Sequence, residues 1–138
     1  MLLKRGRIRM ETGIKGYSEV LVSKENVAST VGSGLLDVYS TPCMIALIEK
    51  AASSSVTPFL EEGQGTVGMH LDISHLAPTP IGEKVHAETE LTEISGRVLT
   101  FTVNVFSEKE KIGEGTHKRC IILVEKFLSK MNSKYSRS

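Results

Sequence analysis

The chain has 138 residues, with 17 basic and 16 acidic side chains for a formal net charge of +1, and only 5% of its residues are aromatic. Near-neutrality leaves no field to draw nucleic acid or an anionic membrane, and so few aromatics offer no stacking platform for single-stranded bases. At this length one compact domain buries roughly 68% of its unfolded surface without help from disulfide or metal, so residues 1–138 are read as one domain.

The N-terminal MLLKRGRIRMETG carries a charge at position 4 and no long apolar run, which predicts neither a signal peptide nor a membrane span. Cys43 and Cys120 lie in apolar surroundings rather than in a paired framework. That usage suits a reducing compartment, and a cytoplasmic protein is expected.

Gly16 to Val22 is short and rich in strand formers, and reads as a first strand. Residues 23–39 mix turn residues with weak helical signals and predict an irregular connection. A long helix begins near Thr41, where Thr can cap and Pro42 fits the first turn. Met44, Leu47, Ile48, Ala51 and Ser55 share one face, the spacing of a helix lying on a sheet. The helix should end by Thr57, because Pro58 pushes the preceding residue out of the helical region.

Four strand segments follow. Thr66 to Ser74 is the first, ended by the proline-containing bend His75 to Gly82. Lys84 to Ile94 alternates Val85, Ala87, Thr89 and Leu91 against polar residues. Ser95-Gly96 makes a tight turn into Arg97 to Phe106, with Leu99, Phe101, Val103 and Val105 on one face. After the polar turn SEKEK, Ile112 to Val124 is the last strand, with Gly113 and Gly115 as expected bulge points. Residues 130–138 read as a frayed polar tail. One central helix with a run of antiparallel strands gives an α+β domain, the helix packed on one face of the sheet.

Glu49 interrupts the apolar helix. It reads either as a solvated partner of Lys50 or as a carboxylate facing a cleft or a second subunit, where burial would raise its basicity. Thr41 reads as the helix N-cap and also as a hydroxyl beside free N–H groups that suit an anionic intermediate. His70 and His75 are five apart and point to opposite faces of a straight strand, so they do not share a metal site. His70 and Asp72 share a face, but two ligands are too few for a metal centre. His75 sits where strand meets bend, and His117 and Arg119 share a face of the last strand, to meet an anion or solvent. No phosphate-binding loop and no GxSxG elbow occurs. From the residues alone the reading is an α+β domain with a candidate acid–base site.

Taken together, Thr41 and Glu49 on the helix, PFLEEGQGTVG, SHLAPTPIG and IGEGTHKR resemble the fluoroacetyl-CoA thioesterase family of hot-dog-fold thioesterases, from about residue 38 to 130. The resemblance implies a long helix wrapped by a curved antiparallel sheet, a homodimer with its sites at the subunit interface, and hydrolysis of an acyl-CoA thioester without metal or organic cofactor. It places catalytic roles on Thr41, Glu49 and His75, and substrate-binding roles on Gly68, whose N–H would polarise the thioester carbonyl, and Arg119. The family's fluoroacetyl-CoA-specific member has phenylalanines just before the helix. Here the stretch is GSGLLDVY, with Leu35 and Leu36, so the resemblance implies a small acyl-CoA in general.

Eight residues of helix rise about 12 Å, so Thr41 and Glu49 of one regular helix cannot touch. A meeting across a dimer interface is the expected solution. Two routes fit these residues: attack by water with Glu49 and His75 as acid–base groups while Thr41 and the Gly68 N–H stabilise the oxyanion, or first attack by Thr41 or Glu49 to form an acyl-enzyme. Sequence does not separate them; attack by water is the expected route, because a threonine hydroxyl is a poor nucleophile unless a base lies within about 3 Å. An enoyl-CoA hydratase-type enzyme and a non-catalytic acyl-CoA-binding module are the alternatives on the same fold.

Overall fold

A computed structural model describes residues 9–136. Most of the N-terminal stretch read above for a leader, residues 1–8, lies outside them. Five strands form one antiparallel sheet: β1 (Lys15–Leu21), β2 (Gln64–His75), β3 (Lys84–Ser95), β4 (Val98–Ser107) and β5 (Lys111–Leu123), in the order β1-β3-β4-β5-β2. The helices are α1 (Ala28–Val31), α2 (Thr41–Val56) and α3 (Val124–Lys134), and a 3₁₀ turn, Thr57–Phe59, follows α2.

The long helix forms where its apolar period predicts. Met44, Leu47, Ile48, Ala51, Ala52 and Val56 are buried, while Ser55 is half-buried at the margin of the stripe. This face lies mainly over β1 and β3. The inward residues of the alternating strands meet it: Val85, Ala87 and Leu91 from β3, and Leu99, Phe101, Val103 and Val105 from β4 are all buried. Burial of such side chains is worth about 1.5–3 kcal/mol each, which makes this helix–sheet layer the main source of stability.

Three features differ from the sequence reading. The connection 23–39 contains the single-turn α1 and is tied down by bridges of Val27 to Tyr39 and Val38 to Pro80. Gly115 is not a bulge point and Gly113 only borders one: the register shifts leave Met69, Thr92 and Ile112 as the extra residues. Gly113 is small because Met44 Sδ of α2 lies 2.8 Å from where its Cβ would stand, so packing under the helix requires it. The polar tail expected from residue 130 is helical as far as Lys134. Val124, Phe127, Leu128 and Met131 recur at helical spacing there, with Glu125 in the first turn and Lys134 in the last, where they suit the helix dipole.

Candidate active site

Two groups of polar side chains lie along α2. The first is at its N-terminus. Ser40, not Thr41, caps the helix: it is extended (φ −82°, ψ 147°) and its hydroxyl accepts the Cys43 N–H at 3.2 Å. The entry point is set one residue early because Tyr39 N–H donates to the Thr79 carbonyl at 2.9 Å and Ser40 N–H to the Asn26 carbonyl at 3.0 Å. Thr41 is therefore the first helical residue, and its hydroxyl is not needed as a cap.

That hydroxyl meets His75 instead. Thr41 Oγ1 lies 2.6 Å from His75 Nδ1. The imidazole stands at the end of β2 on the sheet's inner side, opposite Gly113. Its Nε2 is buried and makes no hydrogen bond among the described residues. Burial pushes the imidazole below its ordinary value of 6.5, with the Ala77 backbone acting the other way. The neutral imidazole favoured by that burial can accept a proton.

The second group lies about two turns further along α2. Glu49 Oε2 is 3.6 Å from Arg119 Nη1, with the arginine side chain 8% exposed and the carboxylate side chain 39% exposed. The reading of His117 and Arg119 as facing solvent does not hold: their face of β5 is turned inward, and they are 0% and 6% exposed. Arg119 Nε donates to Thr66 Oγ1 at 2.9 Å, Nη2 to the Thr66 carbonyl at 3.1 Å, and Nη1 to His117 Nε2 at 3.3 Å. Burial lowers the guanidinium's affinity for its proton, and Glu49 opposes that change.

Gly68 completes this group. It sits on β2 opposite Arg119, at the edge of the register shift that leaves Met69 unpaired. A Cβ at this position would collide with Glu49 Oε2 and would stand 3.4 Å from His117 Cε1. Only glycine lets the strand approach the carboxylate this closely. His70 and His75 project to opposite sides of the sheet, as expected, since no register shift falls between them.

Within one chain, then, Thr41 joins His75, and Glu49 joins Arg119 and Gly68. α2 is regular from end to end, so the two groups stand about 12 Å apart along it. His117 is the buried polar residue that sequence reasoning left without a role. Its signal was the shared face with Arg119, but strand alternation alone does not say which face a helix covers.

Residues 22–125 match the family described as fluoroacetyl-CoA-specific thioesterase, FlK. A fluoroacetyl-CoA thioesterase of Streptantibioticus cattleyicolor is 37% identical over 98 residues, covering 71% of this chain and 70% of that protein. A solved structure of FlK superposes with a TM-score of 0.85 at 30% identity, over 91% of this chain and 97% of that one. A hot-dog-like protein from Thermanaerovibrio acidaminovorans, 17% identical, shares the fold with a TM-score of 0.84 over 92% and 94% of the two chains. The curled five-stranded antiparallel sheet with a long helix against it is the hot-dog fold. Sequence match, fold and topology agree: the chain belongs to the fluoroacetyl-CoA-specific thioesterase family, a family of thioester hydrolases.

Proposed function

We propose that this protein hydrolyses a small acyl-CoA to the free acid and CoA, at a site formed by Thr41, His75 and Glu49 in a homodimer. The observation that carries the reading is the 2.6 Å contact between Thr41 Oγ1 and His75 Nδ1. It meets the condition under which a threonine hydroxyl becomes a useful nucleophile, and so favours attack by Thr41 over direct attack by water.

In this mechanism Thr41 Oγ1 bonds to the thioester carbonyl carbon as its proton passes to His75 Nδ1. The tetrahedral oxyanion is stabilised by the Gly68 N–H and the positive field of the helix N-terminus. Collapse breaks the carbon–sulfur bond, and His75 returns the proton to the departing CoA thiolate. Water then attacks the acyl-threonine as its proton passes to Glu49; collapse breaks the bond between the acyl carbon and Thr41 Oγ1, Glu49 returns that proton to Thr41 Oγ1, and the acid leaves. No step calls for a metal or an organic cofactor.

A second copy of the chain supplies the missing proximity. Because Glu49 stands far along α2 from Thr41 of its own chain, one chain's Thr41 and His75 act with the other's Glu49 and Gly68. One surface suits such a partner. Among the described residues β2 is a 12-residue edge strand with its outer side unpaired, and Met69 and Leu71 along it and Leu76 just beyond its end are exposed. An edge of that length is normally covered. The free thiols of Cys43 and Cys120 agree with a cytoplasmic setting.

Thiol release from a panel of short acyl-CoA substrates, fluoroacetyl-CoA included, tests the reading. Steady release, lost on Glu49→Ala or His75→Ala while both variants remain folded, supports it. Failure of the parent to release thiol from any member contradicts it.

A further inference from the structure

His117 is fully buried, titratable and used by no step above. We propose that His117 is a positioning residue: as a neutral Nδ1–H imidazole it ties the bulge of β2 that carries Gly68 to Arg119, and through Arg119 it sets the carboxylate of Glu49. This inference rests on the thioesterase reading for its kinetic consequence, but its geometry can be tested separately.

The hydrogen bonds define the tautomer. The His70 carbonyl, 2.9 Å from His117 Nδ1, can only accept, so Nδ1 carries the hydrogen. The Arg119 guanidinium, 3.3 Å from Nε2, can only donate, so Nε2 must present a lone pair. The ring therefore bridges two elements that the ladder leaves loosely joined. Pairing runs Gly68 to Arg119 and then His70 to Lys118, skipping Met69. At that gap the His117 side chain supplies a bond to the β2 backbone, on a strand with no neighbour on its other side among the described residues of its own chain.

The other end of the ring acts on Arg119. Thr66 holds Nε and Nη2, which leaves Nη1 as the nitrogen shared between His117 and Glu49. Remove the Nε2 acceptor and the guanidinium loses one of its three hydrogen-bond partners, on the side nearest the carboxylate. Four elements face the imidazole: Arg119 on β5, Glu49 on α2, the His70 backbone on β2, and Phe101 on β4, whose ring lies 6.1 Å away at 27°. Burial, then Arg119 and the His70 imidazole, favour the neutral ring, against the opposing pull of the His70 carbonyl and Glu49. A protonated ring would place a second cation against the guanidinium and withdraw its acceptor.

The test uses His117→Phe, which fills the space without an acceptor, and His117→Gln, whose amide oxygen can still accept from Arg119. His117→Phe should lower kcat by roughly 10²-fold with little change in KM, the scale of a reacting group displaced by an ångström. His117→Gln should recover part of that loss. Long-range proton–nitrogen spectra of histidine-labelled parent should show the Nδ1–H tautomer at neutral pH. The Arg119 Nη1–H signal should persist in the parent and in His117→Gln but exchange away in His117→Phe, while Nε–H, held by Thr66 Oγ1, should persist in all three. A folded His117→Phe with parental kcat, an Nε2–H tautomer, or an imidazolium at neutral pH would each overturn the inference. If the parent releases no thiol from any acyl-CoA, the thioesterase reading fails, and the tautomer and the Arg119 signal alone decide the positioning.

Discussion

Thr41 Oγ1 lies 2.6 Å from His75 Nδ1, although the two residues are 34 apart in sequence and belong to different elements. The contact exists because Ser40 takes the capping role and leaves the next hydroxyl free. Adjacent hydroxyls in one helix start thus divide two tasks.

Ser40→Ala should remove the cap and cost about 1 kcal/mol of stability. Turnover by the folded fraction should stay at the parent's level. Chemical denaturation and thiol release on the same preparation check this, and a large fall in turnover would mean that the two hydroxyls are not independent.

The pH dependence follows from burial of His75 and His117. Both have folded-state values depressed below 6.5. Above that value both are neutral whether folded or unfolded, and their stabilising contribution is fully present. As pH falls below 6.5 and through the folded values, the unfolded chain binds protons more readily, and stability is lost. The acid limb of kcat/KM should fall below 6.5 for the same reason, since His75 must be neutral to take the hydroxyl proton. Urea midpoints and a pH–rate profile measure the two effects; an acid limb above 6.5 would contradict the role given to His75.

Gly68→Ala should be costly in activity beyond its cost in stability. The added methyl meets Glu49 Oε2 and must displace either the carboxylate or the strand. A fall in kcat of roughly 10²-fold is expected from misplacement on the ångström scale. A crystal structure showing Glu49 and β2 unmoved would remove the stated cause.

Arg119→Lys should not substitute. A lysine ammonium cannot reproduce the planar fork that reaches Thr66 Oγ1, the Thr66 carbonyl and His117 Nε2 together. Lower melting temperature and lower kcat are expected together, and parental values of both would show that charge alone suffices.

Much of this architecture is written in the sequence. α2 and the β3–β4 hairpin are legible because their periods, 3.6 and 2, run unbroken over many residues. The helix cap is misread by one position because serine and threonine both cap well; the choice depends on how Tyr39 and Ser40 are anchored by Thr79 and Asn26, far away in sequence. The burial of His117 and Arg119 follows from which side of β5 is turned toward α2, a tertiary fact. α3 is written in the helical spacing of Val124, Phe127, Leu128 and Met131, but Val124 equally suits the end of β5 and so masks where the helix starts. The separation of Thr41 from Glu49 was derivable from helix rise alone.

Assembly is open to direct measurement. The pairing of one chain's Thr41 and His75 with the other's Glu49 requires at least a dimer. Light scattering at micromolar concentration should give twice the 15.1 kDa chain mass or a multiple of it. Turnover by a fully monomeric species would contradict a shared site.

The most direct test compares CoA release by the parent, Thr41→Ser and Thr41→Ala, with melting temperatures taken on the same preparations. Thr41→Ser keeps the oxygen beside His75 Nδ1 and should retain most activity. Thr41→Ala should lose turnover by roughly 10²–10³-fold or more, on the scale of removing a group that acts at the reacting carbonyl, while its melting temperature stays near the parent's because Ser40 still caps the helix. A folded Thr41→Ala that releases CoA at the parent's rate would contradict a catalytic hydroxyl at this position.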